Sequence, residues 1–380
     1  MIKILYVIIA IFMLGFIVTI HEFGHYLVAR LCGIGVVEFS IGMGPKLFGF
    51  RRKDINYSIR AIPIGGYCAF VGEDENNSDP RAMNRQPVWK RILTVFAGPV
   101  MNFVLAYLFC AILLSNFILA EYLPRISGVY ENTAAATCGI EPGDVITEIN
   151  GTPLSFNQNG VDLLRDTLDA VNPEDEVALT LDRDGETIEV RLPLTRMEDE
   201  ESGTSAYMLG VILDGRTYTC LEALLSSCGF MVDFTAAMLQ SLKDLIFHGT
   251  GAGDVIGPVG IISFVSNQVY DQKLYALVYW IFILSLNLGI MNLLPIPGLD
   301  GGRLVFLVVE AIRRKPIPPE KEGMVHAIGM GLLFLLIIII TFKDVVRLIT
   351  GGRGEELCKR DRYARAASPS AAAHPYPFRP

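Results

Sequence analysis

Four long uncharged stretches interrupt the polar pattern of this 380-residue chain: Ile4 to Ile20, Ile92 to Ala120, Leu274 to Leu299 and Met324 to Phe342. A helix rises about 1.5 Å per residue, so about 20 residues cross a hydrocarbon core of about 30 Å. Each stretch predicts a membrane-crossing helix, four in all. The first reaches that length only if the segment His21 to His25 continues the same helix. Lys3 ahead of an apolar run also has the form of a secretory leader. No small-residue cleavage site follows it, and the run exceeds a usual leader core, so it is read as a span.

The pattern changes between the second and third stretches. Short β-like runs, Val145 to Ile149, Val177 to Leu181 and Thr187 to Leu192, are separated by Gly, Pro, Asn and Asp turns, with a helical stretch over Val161 to Val171. Residues 126–194 therefore predict a small mixed α/β domain, followed by a polar, acidic linker at 197–205. Leu221 to Phe247 carries apolar residues at helical spacing. It predicts a helix lying on the membrane surface or, equally, one packed on the small domain. The end, Ala366 to Pro380, is rich in Ala, Pro and Ser and predicts disorder. The expected organisation is 1–120 as a first membrane half, 121–205 as the inserted domain and its linker, and 206–273 as an interfacial segment. Residues 274–350 form a second membrane half, and 351–380 a tail.

Composition agrees with membrane burial. Half the residues are hydrophobic (51%), only 19% are charged and the mean hydropathy is +0.42, which excludes an ordinary soluble enzyme. The distribution of charge sets an orientation. Residues 30–91 hold ten Lys/Arg, whereas 121–273 hold eight against twenty-five Asp/Glu, and the last short connection holds Arg313, Arg314 and Lys315. The positive-inside rule places the first and third connections in the cytoplasm and the long acidic one outside, with both termini outside. The basic residues after Lys343 argue mildly against this, but tail charges count for less than those of short loops. The seven cysteines form no Cys-x-x-Cys pair and no even framework, so neither structural disulfides nor a thiolate zinc site is implied.

His21-Glu22-Phe23-Gly24-His25 is an H-E-x-x-H pattern. Residues four apart share a helix face, so both imidazoles reach one zinc ion while Glu22 faces the water to be activated. Three ionisable groups at the end of an apolar span are costly without such partners. Catalytic zinc takes three protein ligands. Of the other histidines, His248 lies beyond the outer helix, His374 is in the tail and His326 begins the last span. A carboxylate is the natural third ligand, and Asp300 ends the Pro- and Gly-broken segment that closes the third apolar run. Depth supports the choice. If the first span runs inward, His21 and His25 come near its cytoplasmic end. Ala97-Gly98-Pro99 through Asn102 comes at the cytoplasmic start of the second span, and Asp300 at the cytoplasmic end of the third. The centre is expected in the cytoplasmic half of the bilayer.

HEFGH, the FAGPVMNF segment (96–103) and NLLPIPGLDGG (292–302) together resemble the bacterial site-2 proteases of the regulator of sigma-E protease type. Ile59 to Tyr67 resembles that family's membrane-dipping β-hairpin. Val129 to Leu154, with Gly139-Ile-Glu-Pro-Gly-Asp-Val-Ile and Ile149-Asn-Gly, resembles a PDZ domain. The resemblance runs from residue 1 to about 350. It implies a polytopic α-helical membrane protein of four spans with an inserted extracytoplasmic PDZ-like domain, in a bacterial cytoplasmic membrane. It implies one zinc per chain on His21, His25 and Asp300, Glu22 as general base, and a substrate-facing role for Asn102, Asn292, Gly65 and Gly66. From the residues alone, Asn102 equally bonds another helix. The implied substrates are single-span membrane proteins already cut on the outer side, with anti-sigma factors and remnant signal peptides leading. The implied partners are lipid and a peptide or chain end on the PDZ-like domain, with no nucleic acid. Some relatives carry two PDZ domains; this chain has room for one.

Two rival readings remain at this stage. A zinc-binding membrane scaffold or transporter without hydrolysis has no use for Glu22, and the paired repeats of transporters are not visible. A pseudo-protease working through its PDZ-like domain has no use for the full set of four active-site residues.

Overall fold

The computed structural model describes residues 2–73, 77–172, 175–198, 205–249 and 255–349. The chain begins with helix α1 (Ile2–Cys32), strands β1 (Val36–Arg52) and β2 (Ile55–Phe70), and helix α2 (Val88–Asn116). Then come β3 (Leu119–Val129), the single turn α3 (Ala134–Thr137), β4 (Val145–Ile149), β5 (Thr152–Pro153) and α4 (Gln158–Asp169). Strands β6 (Glu176–Arg183), β7 (Glu186–Pro193), β8 (Thr195–Glu198), β9 (Ser205–Met208) and β10 (Val211–Thr217) follow. Four helices complete the chain: α5 (Cys220–His248), α6 (Pro258–Leu293), α7 (Asp300–Arg313) and α8 (Pro319–Ile349). Two compact units result, Ala111–Ser227 and the remainder before and after it.

In the larger unit α1 runs unbroken through His21–His25, so its 31 residues extend about 46 Å at 1.5 Å each. Helix α6 lies along it in the same direction. Tyr6 near the start of α1 meets Tyr270 of α6 edge-on, and Ala10, Met13 and Ile17 share a buried core with Val265, Val269, Ala276 and Ile281. Helix α2 runs the opposite way, because Lys90 near its start reaches the C=O of Cys32 and Asn102 lies further back along α1, at His21. Helix α8 also opposes α6: His326 near its start accepts from Gly298 N–H, and Asp344 near its end accepts from Gly260 N–H. Within α6, Lys273 has φ 48° and ψ −114° and breaks the helix where the uncharged run at Leu274 begins. The helix ends at Leu293 rather than Leu299, since Pro295 and Pro297 cannot continue it. Asp300 then opens α7, a helix that the sequence pattern does not single out.

β1 and β2 fold twice upon each other. Residues 46–52 pair with 55–60, while 36–41 pair both with 56–59 and with 66–70. Gly42, Gly44 and Gly65 take φ of +82°, +83° and +87° at the two bends, where a side chain would strain the backbone. Residues 66–70 form one edge of this small sheet.

The smaller unit is a sheet in the order β10-β3-β4-β6-β7, with β5 paired to β4 and α4 against it. Val177, Leu179 and Leu181 alternate inward with Ile126, Ile146, Ile149, Leu164 and Leu192, the period-2 burial of a strand covered on one face. Asn150 and Gly151, both at positive φ, make the two-residue turn between β4 and β5. Arg183 grips the buried carboxylate of Asp144 at 2.7 Å and holds it below the usual carboxylate range.

Three boundaries differ from the sequence reading. The inserted unit does not stop at 205, because β10 pairs with β3 some 90 residues earlier. The span 206–273 is consequently not one interfacial segment. The linker ends are ordered, Thr195–Glu198 pairing with Ser205–Met208, while 199–204 and the tail 351–380 lie outside the described residues. Among the described residues five helices, α1, α2, α5, α6 and α8, are long and apolar enough to cross a membrane, against four expected spans. The extra one is α5, expected at the surface or on the small domain.

Candidate metal centre and active site

Helical periodicity puts His21 and His25 on one face of α1, with both rings buried and their planes at 86° to each other. Their Nε2 atoms are 3.2 Å apart. Asp300 Oδ2 lies 3.0 Å from Nε2 of His21 and 3.3 Å from Nε2 of His25. Loop 294–299 delivers that carboxylate. Gly298, at φ +97°, donates its N–H to His326, and Gly301 and Gly302 turn back so tightly on 293–297 that neither position has room for a Cβ. Ion pairs Arg91–Glu310 (2.9 Å) and Arg303–Glu73 tie α7 to the start of α2 and to the end of the small sheet.

Helix α2 closes the other side. The C=O of Thr94 accepts from His25 Nδ1 at 2.9 Å, and the amide of Asn102 sits 3.1 Å from His21 Nδ1. Between them is Gly98, where a Cβ would collide with Nε2 of both histidines. A second close approach occurs at Gly24, where a Cβ would strike the C=O of Ala97 and the side chain of Met101. Glycine is required at both places because the helices cross at backbone distance.

These atoms fit zinc. Tetrahedral ligands at about 2.0–2.1 Å lie about 3.3–3.4 Å apart, close to the 3.0–3.3 Å separations found here. Oδ2 of Asp300 is buried without an aligned hydrogen bond despite its two near neighbours. Two nitrogens and an oxygen converging on one point in this way could hold a metal ion. His21, His25 and Asp300 are the one such group of three found among the described residues.

Glu22 projects from the same turn of α1. A Cβ on Gly66 would stand 3.5 Å from its Cγ, and the backbone N–H of Cys68 faces its carboxylate. The edge 66–70 of the small sheet therefore runs past the carboxylate. Gly65, one residue before that edge, is at the bend. Asn292 is half-buried in the last turn of α6 and has no side-chain hydrogen bond to the described residues. Asn102 is fully buried against His21. Thr94 and Cys68 contribute through backbone atoms, which leave no residue-type signal in a sequence. Gly98 was visible only as part of the AGP segment.

Replacing Gly98 with alanine should weaken zinc binding about tenfold or more. An added methyl in a packed site costs roughly 1–3 kcal/mol, and here it must displace the ligands themselves. Zinc retained per chain after dialysis against graded chelator checks this, and parent-like retention would mean that α2 gives way.

A multi-pass helical membrane protein with a buried His-His-Asp centre beside a glutamate defines the class of metal-dependent membrane peptidases. Comparison with known proteins agrees. The model of peptidase family M50 matches residues 9–336. A protein of Clostridium acetobutylicum with the provisional name zinc metalloprotease is 36% identical over 90% of this chain and 97% of its own. The regulator of sigma-W protease RasP of Bacillus subtilis is 31% identical, covering 88% and 96% of the two chains. The zinc metalloprotease RasP of Shouchella clausii is also 31% identical, over 88% and 97%. This chain belongs to peptidase family M50, as a zinc metalloprotease of the site-2 protease type.

Proposed function

We propose that this chain hydrolyses peptide bonds inside the transmembrane segments of single-span membrane proteins, with zinc held by His21, His25 and Asp300. The observation that carries the proposal is the convergence of those three side chains, two of them buried and one part-buried, beside Glu22 and the sheet edge 66–70.

A zinc ion held by His21, His25 and Asp300 would supply the acidification of a water molecule and the polarisation of the scissile carbonyl. Glu22 takes the proton of the attacking water and returns it to the leaving amine, one carboxylate serving as base and then acid. In this reading the amide of Asn292 donates to the carbonyl oxygen as charge develops. A helical substrate hides its carbonyls in its own hydrogen bonds, so it unwinds first. The edge 66–70 receives the unwound segment as an added strand, with Gly65 and Gly66 allowing close backbone approach. Prolines placed singly at residue 62 and through residues 64–68, beside the native Pro63, should reduce cleavage at least tenfold while zinc stays bound. Unchanged cleavage in such zinc-loaded variants removes the strand-addition step.

Four spans are favoured over five by the directions of the helices. α1 and α6 run one way and α2 the other, so the chain between α2 and α6 leaves and returns on one side of the bilayer. A single crossing by α5 breaks that parity, which leaves it on the surface or against the membrane helices. Helix α8 completes an even number. With basic loops inside, both termini and the 111–227 unit face outward, across a bacterial cytoplasmic membrane. That unit acts as a PDZ-like module, with its edge strand β10 open to a peptide or chain end.

Anti-sigma factors are the leading substrate class in this reading, in keeping with the name regulator of sigma-W protease carried by the Bacillus relative, and remnant signal peptides are the second. The test is cleavage of tagged single-span substrates, trimmed on the outer side, by the purified zinc-loaded chain in detergent. Cuts within the apolar segment are expected. A folded, zinc-loaded chain that leaves a panel of such substrates intact points instead to a zinc-binding scaffold.

A further inference from the structure

Thr94, Gly98 and Asn102 are spaced by four along α2 and so share one face of the helix. That face looks onto the two imidazoles, with Gly98 between them. At one end the arrangement is unambiguous. A carbonyl oxygen only accepts, so the C=O of Thr94 at 2.9 Å requires a proton on Nδ1 of His25. The lone pair of His25 is then on Nε2, directed at Asp300 and His21.

At the other end the partner is a side-chain amide, whose nitrogen and oxygen exchange places by a half turn. With the nitrogen towards His21, Nδ1 accepts, and the proton of the neutral ring falls on Nε2, where it blocks the ligand position. Oδ1 of Asn102 is then left buried with no partner. With the oxygen towards His21, Oδ1 gains the Nδ1–H and Nε2 presents its lone pair, as His25 does. The second orientation makes the two ligands equivalent and uses an oxygen the first leaves unbonded. Asn102 is also locked at its backbone, where its C=O accepts from the Ser285 hydroxyl of α6 at 2.9 Å. It has no exposed surface to offer a substrate.

We infer that Asn102 is a positioning residue for the metal rather than a substrate contact. Its Oδ1 accepts from Nδ1–H of His21, fixing the tautomer and ring orientation as the Thr94 carbonyl does for His25. Outer partners of this kind raise ligand basicity and fix the orientation of the ring. One face of α2 thereby sets both histidines. The inference rests on the zinc-peptidase reading of the site given above.

Zinc affinity separates the two roles. Asn102→Leu, close in shape but without an acceptor, should bind zinc roughly 10–100-fold more weakly than the parent, measured by chelator competition. Asn102→Asp, which keeps an acceptor oxygen, should restore affinity to within about threefold. A merely structural role would not be rescued by introducing a buried charge. If Asn102→Leu holds zinc like the parent and loses only cleavage, Asn102 is a substrate contact and the inference is overturned. If the folded parent itself holds no zinc, the reading of the site fails instead. Should the leucine variant not yield folded protein, nitrogen-15 spectra of histidine in the zinc-loaded parent decide. A proton on Nδ1 and metal on Nε2 of His21 supports the inference, and the reverse refutes it.

Discussion

Glu22→Gln should abolish cleavage of a trimmed single-span substrate, by roughly 10²–10⁴-fold, while about one zinc per chain remains bound. The amide matches the carboxylate in size and keeps an oxygen to face the Cys68 N–H, so the packing beside Gly66 is preserved. What it loses is the capacity to take a proton from water. His21, His25 and Asp300 are untouched, so the metal should stay. Paired measurements of zinc content and turnover therefore separate chemistry from assembly. Equal turnover by the glutamine form would show that another group carries the proton.

The second large effect is expected at Asp300, the proposed third ligand. Asp300→Ala should lower zinc affinity by more than the roughly 10–100-fold that losing an outer hydrogen-bonding partner costs. Cleavage should vanish with the metal. The helix that carries Asp300 has other anchors, Glu310 on Arg91 and Arg303 on Glu73, so the fold should survive the substitution. Zinc added to the stripped parent should raise its unfolding temperature, since a ligand that binds only the folded state stabilises it by mass action. The same zinc should leave Asp300→Ala unmoved. A variant that keeps both zinc and the thermal response would remove Asp300 from the ligand set.

Much of this architecture is legible along the chain because it depends on neighbours in sequence. The pairing of His21 with His25 follows from the pitch of one helix. The strands at Val145, Val177 and Thr187 follow from alternation between turn residues, and each is present close to its expected bounds. The approach of Asp300 could be inferred across nearly 280 residues only because apolar runs reveal depth. Depth, however, is one coordinate out of three. It brought Asn102 to the right level and left open whether it would face a substrate, another helix or a histidine.

By itself, then, the sequence determined the elements that local periodicity and hydrophobic length dictate: the apolar helices, the histidine pair, the strands and the broken segment before Asp300. Only the tertiary structure decided which groups meet. It turned Thr94 and Asn102 of α2 onto the two ligand rings and left no room for a side chain at Gly98. It joined β10 to β3, extended the inserted unit past its expected end, and set α6 parallel to α1. The reason is physical. Backbone carbonyls and amides carry no residue-specific mark, and the pairing of distant segments depends on the packing of the whole chain rather than on any window of it.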